Sequence, residues 1–215
     1  MNAVSHSGDW VERQAAVMRG RRLEYLTIAW NSLEAIVSIL AGVVAGSIAL
    51  VGFGLDSVIE TSSGAALLWR LSHSNERTAE ARERAERISL RIVGISFLLL
   101  AGYVGYEAAR DLWTRQAPEH SIPGIVIAAL SLVVMPLLAR AKRKTARLLN
   151  SSALKADSRQ TDLCACLSAI LLGGLLLNFL FGWWWADPVA GIIMVPIIVR
   201  EGMEALRGDP CSCHE

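Results

Sequence analysis

Two acidic residues interrupt an apolar tract in the stretch Leu50-Val-Gly-Phe-Gly-Leu-Asp56-Ser-Val-Ile-Glu60-Thr-Ser-Ser-Gly64. Because an α-helix turns by about 100° per residue, Asp56 and Glu60 lie one above the other on the same helix face. A charged side chain in the hydrocarbon of a bilayer costs roughly 2.5–3.5 kcal/mol on insertion scales. Two such groups on one face therefore indicate a function, and the first candidate is a path for ions.

The whole chain has the composition of a membrane protein. Of its 215 residues, 53% are hydrophobic and 19% are charged, and the mean hydropathy is +0.40. Soluble domains have roughly 45–50% apolar and about 25% charged residues. Seven tryptophans are typical of anchoring at the membrane–water interface. The expected surroundings are a lipid bilayer, and no nucleic-acid partner is expected.

The apolar tracts predict an all-α membrane protein, a bundle of six transmembrane helices. The tract from Tyr25 to Trp69 fits two spans of about 20 residues, with a tight turn at Ala45-Gly46-Ser47. Asp187 is the predicted N-cap of the last span, with Pro188 as its first helical residue. The predicted spans are 24–45, 48–69, 88–109, 122–139, 156–181 and 187–206, within a domain 23–206 between a polar N-terminus (1–22) and a short Cys/His tail (207–215).

The cationic residues are concentrated on one side of this topology. Eighteen of the 21 Lys and Arg residues lie in the segments 1–24, 70–91, 140–155 and 200–215. Because the loops on the cytoplasmic side carry the excess of Lys and Arg, both termini are predicted to be cytosolic. The few Lys among many Arg favour a bacterial source, and hence the plasma (inner) membrane.

A second stretch brings polar side chains together at the start of span 5. On a helix, Asp157, Gln160 and Cys164 follow the spacing i, i+3, i+7 and share one face. Asp162 lies on another face, so it either pairs with Arg159 or takes part in the site indirectly. The apolar centre of span 5 lies further along the chain. Either span 5 begins earlier, in surroundings lined by protein, or the site lies in a cytosolic vestibule below the membrane centre.

These residues form a plausible ligand set for a metal cation. Zn²⁺ takes four N, S or O ligands in a tetrahedron, and Asp56, Glu60 and Cys164 supply three of them. Gln160, Asp157 or water would complete the shell. A cysteine ligand favours softer ions such as Zn²⁺ and Cd²⁺ over Mg²⁺ or Ca²⁺. The alternative for Cys164 is a small buried apolar residue, which is a common role of a free cysteine.

Span 1 contains a further intramembrane acid. Asn31, Glu34 and Ser38 share one helix face, and an ionisable residue within a span is a functional candidate by default. Glu34 and its neighbour Asn31 are candidates for carrying a proton or for orienting a ligand. The alternative for Glu34 is an ion pair with Arg91 or Lys155.

The C-terminal tail carries three side chains that suit a soft metal, Cys211, Cys213 and His214. They are too few for a complete site unless a partner chain contributes. The alternative is an accessory tail without a site.

Three motifs resemble the cation diffusion facilitator (cation efflux) family: Asp56-xxx-Glu60, Ala156-Asp157-x-x-Gln160-x-x-x-Cys164 and Trp185-Ala-Asp187-Pro188. That family typically has Asp or His-xxx-Asp in span 2 and Ala-Asp-x-x-His-xxx-Asp in span 5, where four side chains bind the transported metal. Here Glu60 stands in place of Asp, Gln160 in place of His, and Cys164 in place of Asp. The resemblance, over residues 24 to 206, is greatest to a short branch that lacks the cytosolic C-terminal domain.

The resemblance implies a transporter that exports a divalent transition metal, Zn²⁺ above all, by alternating access in exchange for protons. It also implies a homodimer, and no cofactor is expected to be permanently bound. The alternative is a non-transporting accessory or metal-sensing protein on the same fold. An enzyme is not expected, because the chain has neither a Ser/His nucleophile pair nor a nucleotide-binding loop. Its Gly52-Phe-Gly54-Leu-Asp56 also has one residue more than the Gly-x-Gly-Asp of intramembrane aspartyl proteases.

Overall fold

The described residues form six α-helices in a computed structural model of the chain. The structure describes residues 3–72, 79–116, 118–149 and 152–207, and none of these lies in a β-strand. The predicted all-α class is therefore confirmed. The helices are α1 (Ala3–Ala45), α2 (Ile48–Ser72), α3 (Ala79–Thr114), α4 (Ile122–Leu149), α5 (Ser152–Phe181) and α6 (Ala186–Arg207).

Three closely packed helix pairs build the bundle: α1 with α2, α3 with α6, and α4 with α5. Helix α2 also contacts α3, α5 and α6. Its side chains Leu50 and Phe53 are completely buried, in one core with Met135 of α4, Leu171 of α5 and Met194 of α6. The stretch that carries Asp56 and Glu60 therefore runs through the centre of the bundle.

The bundle exposes apolar side chains and buries polar ones. Val44 of α1 and Trp113 of α3 are 80% and 90% exposed, whereas Asn31, Glu34 and Ser57 have no exposed surface. In water, exposing so many large apolar side chains would be strongly unfavourable, but in lipid it is not. The distribution of polarity is that of a protein surrounded by a bilayer.

Four helices contain segments long and apolar enough to cross a membrane: Gln14–Ala45, Arg91–Thr114, Ile122–Leu149 and Asp157–Phe181. The other two helices interrupt their apolar runs with ionisable residues, namely Asp56 and Glu60 in α2, and Asp187, Arg200 and Glu201 in α6. The chain is therefore an integral multi-pass membrane protein. The cytosolic location of its termini stays a prediction.

Three connections meet on one side of the bundle, which we call the turn end (residues 45–48, 115–122 and 181–187). The backbone N–H of Glu119 donates to the carbonyl of Ala45 at 2.7 Å, and Asn178 Nδ2 donates to the carbonyl of Pro118 at 3.1 Å. The opposite side, where α6 ends, is the terminal end. Gly46 has φ = 67°, a left-handed conformation that glycine adopts without strain, and it separates α1 from α2 within the predicted turn.

Asp187 also belongs to the turn end, but it does not cap its own helix as predicted. Helix α6 begins one residue earlier, at Ala186. The buried carboxylate of Asp187 instead accepts hydrogen bonds from Ser47 Oγ at 2.5 Å and from the backbone N–H of Ala49 at 3.5 Å. Asp187 thus caps the N-terminus of α2, where the helix dipole favours a negative charge.

The basic run 141–147 is part of a transmembrane-length helix. Helix α4 continues through it to Leu149, beyond the predicted span 122–139, and the side chain of Lys142 is completely buried. Helix α5 begins at Ser152, and Asp157 and Thr161 in its first turns are also buried. The polar start of α5 therefore lies in surroundings lined by protein, the first of the two alternatives for this span.

Candidate functional site

Glu34 lies at the junction of four helices. Its side chain is completely buried, and its carboxylate accepts hydrogen bonds from Ser57 Oγ of α2 at 2.5 Å and from Ser131 Oγ of α4. Trp30 Nε1 of its own helix donates at 3.0 Å, and Cys164 Sγ of α5 donates at 3.4 Å. These four donors compensate for the loss of water around the carboxylate.

The alternative for Glu34, an ion pair with Arg91 or Lys155, is therefore not what the structure shows. Hydroxyl, indole and thiol groups surround Glu34, and among the described residues it takes part in no ion pair. Its neighbour Asn31 is also completely buried, and neither the oxygen nor the nitrogen of its amide has a hydrogen-bond partner in the described part of the chain. The polar face of α1 predicted from the spacing thus points into the bundle.

A buried lysine organises a second group of polar side chains, the Lys142 cluster (Lys142, Glu24, Asp157 and Thr161). Lys142 Nζ donates to Asp157 at 2.5 Å, to Glu24 at 3.4 Å and to Thr161 Oγ1 at 3.4 Å. The hydroxyl of Thr161 in turn donates to Glu60 Oε1 at 2.9 Å. The cluster therefore joins α1, α4 and α5 and contacts one of the two carboxylates of α2.

The Lys142 cluster changes the interpretation of Asp157. The sequence places Asp157 among the candidate metal ligands, but in the structure its carboxylate already has a cation as partner. Removing one partner of a buried ion pair costs about 3–5 kcal/mol, because it leaves an uncompensated charge. Asp157 is therefore held by Lys142 rather than free to meet an ion.

Asp56 has the opposite environment. Its side chain is only 5% exposed, and no described residue forms a hydrogen bond or an ion pair with it. It lines a narrow cavity together with Gln160, whose Nε2 is also without a partner in the described part of the chain. The wall of this Asp56 cavity is completed by Phe97, Leu163, Leu167, Ile197, Ile198 and Glu201.

The structure thus brings Asp56 and Gln160 together, as the motifs predict, and leaves Glu60 and Cys164 with other partners. Glu60 is 2% exposed, and its Oε2 has no partner among the described residues. Cys164 is 1% exposed and donates to Glu34. No three His, Cys, Asp or Glu side chains within the described ranges form a group ready to hold a metal ion.

The remaining candidates lie outside this centre. Asp162 is partly exposed and pairs with Arg143 of α4, so the predicted pairing with Arg159 is wrong. The pattern on one helix favours Arg159, but the neighbouring helix supplies a nearer guanidinium. Cys211, Cys213 and His214 lie outside the described residues.

Sequence reasoning missed three charged residues, Glu24, Lys142 and Glu201. Lys142 is part of a basic run that is typical of a solvated segment. Glu201 follows the apolar run of α6, where an acidic residue is typical of a span end. A signal for Glu201 existed, because it lies three and four residues after Ile198 and Ile197, on one face of the helix.

An all-helical membrane bundle with uncompensated carboxylates at its centre has the architecture of an ion-translocating protein. Comparison with known families agrees with this class. Residues 25–208 match the model of the cation efflux transmembrane domain, which is most of the chain. The chain belongs to the cation efflux family, a family of transporters.

Known relatives are distant. The chain is 29% identical over 185 residues to transmembrane protein 163 of Xenopus laevis, covering 86% of this chain and 65% of the relative. It is 27% identical over 179 residues to an uncharacterized transporter of Methanocaldococcus jannaschii, covering 81% of this chain and 63% of the relative. It is also 26% identical over 137 residues to the cadmium, cobalt and zinc/H(+)-K(+) antiporter of Bacillus subtilis, covering 62% and 43%. The chain therefore spans less than two thirds of the length of these relatives.

Proposed function

We propose that the protein exports a divalent transition metal, with Zn²⁺ as the leading cargo, by alternating access. The observation that carries this proposal is the carboxylate of Asp56, which is buried at the centre of the bundle, has no partner among the described residues and lines a cavity. An uncompensated carboxylate in hydrocarbon is costly. A divalent cation from outside the chain supplies the missing charge.

Asp56 and Glu60 are the main cation-binding groups in this proposal. Each has at least one carboxylate oxygen without a partner in the described part of the chain, and their spacing of four residues places them on one face of α2. Gln160 contributes its amide oxygen from the same cavity. A transported ion must bind and leave again, so its ligands do not have to stand in a finished shell beforehand.

Cys164 is the proposed source of selectivity. Its thiol now donates to Glu34, so it becomes a ligand only after it loses this proton and turns towards Glu60. Thiolate ligands favour Zn²⁺ and Cd²⁺ over Mg²⁺. The name of the Bacillus subtilis relative, with cadmium, cobalt and zinc as its ions, supports the same group of metals here.

Proton exchange is implied by the family resemblance, and the chemistry of the ligands is compatible with it. Metal ions bind deprotonated carboxylate and thiolate groups, so proton and metal compete for the same lone pairs. Metal affinity is therefore expected to rise with pH, and acidification on the releasing side favours release. Calorimetric titration of the purified protein with Zn²⁺ at several pH values measures this dependence, and a pH-independent affinity would contradict proton coupling at the site.

Flux into proteoliposomes tests the transport proposal. A metal-sensitive dye inside the vesicles reports Zn²⁺ uptake by the wild type, by the double variant Asp56→Ala, Glu60→Ala, and by Asp162→Asn as a control. We expect flux in the wild type and in the control, and none in the double variant. Unchanged flux in the double variant would overturn the assignment, and metal binding without flux in the wild type would favour the accessory or sensing role.

Two further properties complete the proposal, a homodimer and location in the bacterial inner membrane. The resemblance implies the homodimer, and the Arg-rich composition favours the bacterial membrane. The mass of the protein in mild detergent, measured by light scattering with correction for detergent, tests the dimer.

A further inference from the structure

Glu201 of α6 faces the same cavity as Asp56. The cavity is lined by three polar side chains, Asp56, Gln160 and Glu201, and otherwise by apolar ones. No Lys or Arg belongs to this lining. A passage with two carboxylates, one amide and an apolar wall attracts cations and repels anions.

Glu201 forms no ion pair with a described residue, although Arg159 of α5 and Arg200 lie near enough to act on its charge. The adjacent Arg200 forms its ion pair with Glu204, at 2.9 Å on the outside of the helix. Among the described residues, Glu201 itself takes part in no ion pair. A partly buried carboxylate that forms no ion pair adds little to the stability of the fold, and its position on the cavity wall makes it available to a ligand from outside the chain.

The second, independent observation is Asp56 itself. This side chain is nine-tenths buried, has no partner in the described part of the chain and lines the cavity that Glu201 shares. The cavity therefore connects two carboxylates of different helices, neither of which forms an ion pair in the described part of the chain. Gln160, whose amide nitrogen also has no partner there, lines the same cavity.

The three polar residues lie at different depths. Helices α2 and α6 both run from the contact between Ser47 and Asp187 at the turn end, so Glu201 lies about five residues, roughly 7 Å, nearer the terminal end than Asp56. Gln160 also lies on the terminal side of Asp56, because its neighbour Thr161 contacts Glu60, one turn beyond Asp56. An ion that enters from the terminal end therefore meets Glu201 and Gln160 before Asp56.

We infer that Glu201 is an additional cation-binding residue, which captures a partly hydrated divalent ion at the terminal end of the Asp56 cavity and passes it to Asp56. The inference rests on the proposed function and adds an α6 ligand to it. Oxygen ligands from carboxylate and amide groups discriminate little between divalent metals. Glu201 therefore sets how readily an ion enters, while selection among metals takes place deeper in the bundle.

The experiment compares two acidic residues three positions apart on α6. Zn²⁺ flux is measured in proteoliposomes for the full chain, for Glu201→Gln and for the matched control Glu204→Gln, whose parent residue pairs with Arg200. We expect Glu201→Gln to raise KM about fivefold to tenfold, because the loss of one modest interaction with the ion lowers affinity by up to about a factor of ten. The change in kcat should be less than about twofold. Glu204→Gln leaves both constants unchanged, and Glu201→Asp, which keeps the charge, restores most of the affinity.

Several outcomes would overturn the inference. They are an unchanged KM in Glu201→Gln, an equal change in Glu204→Gln, or a fall in kcat without a rise in KM, which a merely structural role would produce. The wild type and the Asp56→Ala, Glu60→Ala variant separate this inference from the proposed function. If the wild type transports Zn²⁺ and the double variant does not, a normal Glu201→Gln overturns the α6 site alone. If the wild type does not transport, the proposed function fails and the inference fails with it.

Discussion

The Lys142 cluster and the Asp56 cavity both contain buried carboxylates, but only those of the Lys142 cluster have an ion-pair partner. Both lie between helices of one bundle, and both bury carboxylates. In the Lys142 cluster a completely buried ammonium group compensates for Asp157 and Glu24. In the Asp56 cavity no Lys or Arg belongs to the lining, and neither Asp56 nor Glu201 forms an ion pair with a described residue. The difference separates acidic residues that hold helices together from acidic residues that are available to an ion.

The largest expected effect is the loss of the internal cation. Lys142→Met leaves Glu24 and Asp157 buried without a counter-charge, and we expect the free energy of unfolding to fall by about 3–5 kcal/mol. The midpoint of thermal unfolding in detergent micelles measures the change. The triple variant Lys142→Met, Glu24→Gln, Asp157→Asn removes all three charges and should regain most of the loss. A single variant as stable as the wild type would show that Lys142 does not compensate for these carboxylates.

Removing the charge of Asp56, unlike removing that of Lys142, should not lower the stability of the protein. Asp56→Asn removes an uncompensated buried charge, so the thermal midpoint should stay the same or rise, while Zn²⁺ affinity falls at least about tenfold. Thermal unfolding and calorimetry on one preparation measure both quantities. A destabilisation as large as that of Lys142→Met would erase the distinction between the two regions.

A smaller, selective effect is expected at Cys164. Cys164→Ser keeps a donor for Glu34 but removes the soft ligand, so Cd²⁺ affinity should fall about tenfold while Mn²⁺ affinity stays the same. Cys166→Ser is the matched control, because Cys166 is two residues away and exposed. Equal changes for Cd²⁺ and Mn²⁺ in calorimetric titrations would mean that Cys164 is not a ligand.

The smallest effect is expected for the ion pair of Asp162 with Arg143. Its two side chains are 35% and 40% exposed, so solvent already screens their charges. We expect Asp162→Asn to change the free energy of unfolding by less than about 1 kcal/mol. A loss comparable to that of Lys142→Met in the same thermal measurement would show that burial does not set the strength of these pairs.

Local periodicity was sufficient to predict the parts of the molecule that depend on one helix. Apolar tracts predict the helices and the turn at Gly46, and the four-residue spacing places Asp56 and Glu60 on one face. The presence of Gln160 and Asp56 in one cavity required only that α2 and α5 be neighbours, which the family motifs imply. These features follow from the helix itself, because a repeat of 3.6 residues is visible in the sequence.

The predictions that were wrong or missing concern contacts between helices. A lysine in a basic run is buried only if another helix presents acids at the same depth, as Glu24 of α1 does for Lys142. The partner of Asp162 comes from α4, and the residue that Asp187 caps is in α2. Burial of such residues is decided by tertiary packing, which neither composition nor spacing on one helix reports.

The hydrogen bond between Ser47 and Asp187 has a consequence for the transport cycle. It lies at the turn end, where the connections of the bundle are fastened to one another, whereas the Asp56 cavity extends towards the terminal end. In the proposed alternating-access cycle, opening of the site at the turn end would require this buried contact to break. The strength of the contact therefore biases the resting population towards the conformation described, and it limits how often the opposite one is visited.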